Sequence, residues 1–128
     1  MNRFEHTVTS ARSFDDAVAA IERVAVEKGF RVLHTHDVAA TLAEKGFTRD
    51  PLKIVEICNA KYASQVLAKD VKIALMLPCP ISVYTEGGKT RISTLLPSVI
   101  SQFYPDAHVE DVAAQVENGV LDIVETAK

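Results

Sequence analysis

The sequence predicts an α+β domain built on a mainly antiparallel sheet, with two long helices packed on one face and short extra helices in the connections. Three observations lead there. Two long amphipathic stretches frame the chain, short runs of branched residues bounded by glycine, proline and asparagine lie between them, and two of those runs meet at Glu86-Gly87-Gly88-Lys89, a hairpin turn. Nothing in the 128 residues resembles a linker or a repeat, so a single domain spanning residues 1–128 is expected.

Phe4, His6 and Val8 alternate with polar residues, as in a first strand covered on one side. Ser13 then caps a helix, with Asp16 three residues on as its capping-box partner. Phe14, Val18, Ile21 and Val24 form the helix's apolar stripe. Gly29 ends it, and Phe30 is expected to fold back over the last turn. A second strand from Phe30 to about His36 projects His34 and His36 together, and Asp37 caps a short helix that stops at Gly46.

Leu52 to Cys58 is the clearest strand, with Ile54, Glu56 and Cys58 pointing one way and Val55 and Ile57 the other. Asn59 caps the next helix, to about Lys69. Ile73 to Leu77 is a compact apolar run expected to be buried, and Pro78-Cys79-Pro80 breaks it before the hairpin strands Ile81–Thr85 and Thr90–Leu96. Pro97 to Pro105 holds a short helix. A final amphipathic helix runs from Ala107 to about Glu125, and Gly119 inside it implies a close neighbouring backbone. Val55 and Ile57 are expected on a sheet face that one helical layer leaves open, which suggests a homodimer.

Composition excludes several classes. A net charge of −3, with acids and bases interleaved, gives no basic stripe for nucleic acid. No apolar stretch approaches the ~20 residues of a membrane span. The amino terminus lacks the apolar core of a signal peptide, so a cytoplasmic protein is expected, and no phosphate loop or triad ordering names a cofactor.

The chemistry concentrates in the two cysteines. Cys58 ends a strand just before a helix amino terminus, where the dipole and free amides favour a thiolate, and Cys79 lies between prolines at the entry to the next strand. Neighbouring strands would bring the two sulfurs to the same sheet end. Three readings stand: a reactive thiol pair with Cys58 as nucleophile and Cys79 as its resolving partner, two inert core cysteines, or a tetrahedral metal site made with His34 and His36. Glu56 and Asn59 are the supporting polar groups, Glu56 as a carboxylate held in a pocket as a general base.

Glu27-Lys28-Gly29-Phe30, Asp37-Val38, Lys45-Gly46, Ile57-Cys58-Asn59 and Leu77-Pro78-Cys79, with an aromatic at Tyr84, together resemble the bacterial and archaeal domain of unknown function 302 family over nearly the whole chain. The resemblance implies a β-α-β-β-β-β-α domain of the TBP-like type in a small stand-alone protein of undefined biochemical role. Where that family commonly reads Cys-Asn-Pro, this chain has Cys58-Asn59-Ala60, so the proline that would stiffen the helix start is missing. The expectation is a homodimeric small-ligand-binding or thiol-based protein, with a non-catalytic homodimeric interaction module as the alternative.

Overall fold

The computed structural model describes residues 3–128; Met1 and Asn2, where the expected leaderless terminus begins, lie outside the described residues. The chain runs β1 (Glu5–Ser10), α1 (Phe14–Glu27), β2 (Arg31–Asp37), α2 (Val38–Ala43), β3 (Leu52–Cys58) and α3 (Ala60–Lys69). A 3₁₀ helix (Val71–Met76), β4 (Cys79–Glu86), β5 (Lys89–Leu95), α4 (Val99–Phe103), a 3₁₀ turn (Pro105–Ala107) and α5 (Glu110–Ala127) follow. The strands form one sheet in the order β1-β5-β4-β3-β2, and every neighbouring pair is antiparallel.

Local chemistry sets the helix ends. Ser13 Oγ accepts the Asp16 amide at 3.2 Å, which satisfies one of the orphan donors at the start of α1. At its other end Gly29 takes φ +87°, and the Gly29 and Phe30 amides donate to Val26 and Ala25 carbonyls at 3.1 and 2.9 Å, a Schellman closure that only a residue free of Cβ strain makes at low cost.

Strand alternation then sorts the side chains. Val55, Ile57, Ile81, Val83 and Ile92 point to the helical side and are fully buried with Ile21 of α1 and Val120 and Ile123 of α5. The expectation that Val55 and Ile57 leave an uncovered apolar surface is therefore corrected, because this is the face on which α1 and α5 lie. The opposite face is largely polar: Ser93 Oγ hydrogen-bonds both Thr7 Oγ1 and Tyr84 Oη at 2.8 Å, forming a hydroxyl ladder across three strands.

Two further expectations change. A methyl group at Gly119 would sit 2.9 Å from Phe30 Cε1, so the neighbour that excludes a side chain there is the buried Phe30 ring, not a backbone. Phe30 packs across α1 onto α5 and does not merely cover its own helix end. The run Ile73–Leu77 is not buried as a whole: it lies mostly in a 3₁₀ helix that buries Ile73 with Val66, Ile100 and Val109 and leaves Leu75 84% exposed.

Candidate functional site

Ile57, the residue before Cys58, stands opposite Cys79 in the β3–β4 register, so the two cysteines lie one step apart at the same end of the sheet. Both are free thiols, with Cys58 half-buried and Cys79 buried. They line one cavity between the sheet end and the helices, whose walls are Phe30, Tyr62 and Val66 of α3, Ile100 of α4 and Val116 of α5. Space for a water-sized guest there is about 30 Å³.

Asn59 positions the Cys58 end of this cavity. Its Oδ1 accepts the Tyr62 amide at 3.4 Å, and its Nδ2 donates to the Gly29 carbonyl at 3.4 Å, so one side chain caps α3 and ties it to the turn after α1. The other end is set by Leu77-Pro78, a cis peptide, which delivers Cys79 into β4. β4 begins two residues earlier than the prolines suggest. It can do so because pairing with β5 starts only at Ile81, leaving Pro80 past the end of that ladder.

The two thiols have unequal surroundings. Burial, and secondarily the charge of a Cys58 thiolate, push the Cys79 thiol up to about 11, so Cys79 holds its proton at neutral pH. Cys58 is the sulfur with access to solvent.

Glu56 does not join them. Strand alternation places Glu56 and Cys58 on one side, but Cys58 is the last residue of β3 and lines the thiol cavity, whereas Glu56 lies on the outer sheet face against His36 Nε2. His34 and His36 share that outer face, their ring centroids 4.4 Å apart in an edge-to-face pair. The four-residue set Cys58, Cys79, His34 and His36 is therefore divided between two faces of the sheet. Among the described residues no three His, Cys, Asp or Glu side chains group into a metal site, which corrects the tetrahedral-site alternative. Sequence reasoning missed the Tyr62 and Phe30 walls. The signal for Tyr62 was its place three residues after the Asn59 cap, in the first turn of α3.

The model of the family described as "Domain of unknown function DUF302" matches residues 6–127. The chain belongs to the DUF302 family. A crystal structure of an uncharacterized conserved DUF302 protein from Bacillus stearothermophilus is 27% identical, covers 99% of this chain and 100% of its own, and superposes with a TM-score of 0.93. No curated protein matches the chain. The DUF302 fold is thus shared closely. Among the described residues no helix is long and apolar enough to cross a membrane.

Proposed function

We propose that this DUF302 protein performs thiol redox chemistry at a Cys58–Cys79 pair in the cytoplasm. The observation that carries the proposal is that both free thiols line a single cavity whose free space is about 30 Å³. A water needs ~10–15 Å³ by this measure, and metabolite pockets run to ~300–1,000 Å³. The cavity therefore suits a guest little larger than water and is too small for a metabolite. That size favours redox chemistry with hydrogen peroxide over small-ligand binding at the thiols.

The steps balance as follows. The Cys58 thiolate sulfur attacks one peroxide oxygen, the O–O bond breaks, and hydroxide leaves and becomes water on taking a proton; Cys58 is left as a sulfenic acid. The Cys79 sulfur then attacks the Cys58 sulfur, the S–O bond breaks, and the Cys79 proton departs with the hydroxyl as a second water. Both thiols are oxidised to a disulfide, and peroxide takes the electron pair. Formation of the sulfenic acid discharges Cys58 and removes one of the two causes that hold the Cys79 proton, leaving burial alone.

The test is thiol loss under hydrogen peroxide and under cumene hydroperoxide, which is far larger than the cavity. The expected result is paired loss of both thiols with hydrogen peroxide, at least about tenfold slower loss with the bulky reagent, and no disulfide in Cys58→Ser. Equal rates with both oxidants, or a rate no faster than that of an unstructured cysteine peptide, would overturn it.

A second reading, a homodimeric interaction module, is favoured by a different observation. Val71 and Leu75 of the first 3₁₀ helix and Phe103 of α4 are 73%, 84% and 68% exposed. Tyr104 Oη donates to the Lys72 carbonyl at 3.1 Å, which ties these two segments together at one end of the molecule. A cluster of this kind suits a self-association surface.

A further inference from the structure

The outer face of the sheet holds a second hollow, separate from the thiol cavity and far larger, walled in part by the two prolines that flank Cys79. Between β2, β3, the start of α2 and the Pro78–Pro80 segment lies an open groove of about 440 Å³, within the ~300–1,000 Å³ range of small-molecule sites. Its walls are mostly aliphatic, Val38, Leu42, Ile54, Pro78 and Pro80, with the Thr41 hydroxyl among them. Its polar end is His36 and Glu56, with the Glu56 carboxylate against His36 Nε2 and the His34 ring edge-on behind His36.

Glu56 is 26% exposed at its side chain and is the one acidic or basic side chain, apart from His36, that lines the groove. His36 Nε2 takes up one carboxylate oxygen, and the other lone pairs of the carboxylate remain to accept hydrogen bonds at the end of the groove. An apolar channel closed by a carboxylate is complementary to a molecule with a hydrocarbon body and a cationic head. A carboxylate ligand would meet like charge, and a wholly apolar one would leave the remaining lone pairs of Glu56 without a donor.

We propose that this groove is a binding site for a small primary amine with an aromatic or aliphatic body, the ammonium group held by Glu56 and the body lying along Ile54 and Leu42. His36 Nε2 meets the other side of this carboxylate at Oε1. The site stands independently of the thiol cavity, because the two lie on opposite faces of the sheet.

The experiment is a titration of the intact protein, followed by amide chemical shifts, with three probes of one shape and different charge: benzylammonium, benzyl alcohol and benzoate. Benzylammonium is expected to saturate with shifts confined to β2, α2, β3 and the Pro78–Pro80 segment, about tenfold more tightly than benzyl alcohol, as a charge-assisted hydrogen bond implies, with benzoate weakest. Glu56→Gln should bring benzylammonium down to the affinity of benzyl alcohol, and Thr41→Trp, which fills the groove from α2, should abolish both. Equal binding of the three probes, benzoate binding best, shifts away from the groove, or benzylammonium binding unaffected by Glu56→Gln would each overturn the proposal.

Discussion

Cys79 couples site chemistry to stability. Its thiol is pushed up to about 11 by burial first and the Cys58 charge second, so the folded protein keeps a proton that the unfolded chain releases near pH 9.0. A raised value means that this stabilisation is complete below about pH 9 and is lost as pH rises towards about 11. The effect is on the order of 3 kcal/mol. Denaturant unfolding under reductant should therefore show an alkaline decline in this window that Cys79→Val, close in volume and without a proton to lose, does not share. Parallel curves for the two proteins would mean that the thiol is not desolvated. The same burial means that attack of Cys79 on the Cys58 sulfenic acid should speed up on alkalinisation.

The elements that hold the site were legible where the signals are local. Ser13, Asp37 and Asn59 each read as caps, and each side chain accepts the amide three residues on. Gly87 and Gly88 take positive φ between β4 and β5, as the hairpin sequence requires. The space around Cys58 was less legible, because alternation along β3 says nothing about how the chain turns after its last residue. That turn is Asn59, which grips both Tyr62 and Gly29. Asn59→Ala should cost about 1 kcal/mol by thermal or chemical unfolding and also raise the alkylation rate of Cys58, because it loosens the start of α3 beside it. A stability loss with no change in thiol reactivity would show that the cap is structural alone.

At the scale of the whole molecule, the alternating pattern identified two strand faces correctly but not which one the helices take. Val55 and Ile57 read as an open surface because a strand with apolar residues on both sides carries no mark of its covered face. Only pairing with Ile81, Val83 and Ile92 supplies that mark. The pairing of Glu56 with His36 was hidden for a similar reason, since it depends on a β2–β3 register that shifts between Val32 and His34. Self-association is better sought at Val71, Leu75 and Phe103. Light scattering should give twice the chain mass for the native protein and the single mass for Phe103→Asp, with thiol reactivity unchanged; a native monomer, or a Phe103→Asp dimer, would remove that surface from consideration.

The central claim is that two sulfurs in one water-sized cavity react with each other. Peptide mapping after brief treatment with stoichiometric hydrogen peroxide tests it most directly. An intrachain Cys58–Cys79 disulfide is expected as the main product, absent from Cys58→Ser and reversed by reductant. Cys58 accumulating as sulfinic acid or as an interchain Cys58–Cys58 bridge, with Cys79 still a thiol, would contradict it.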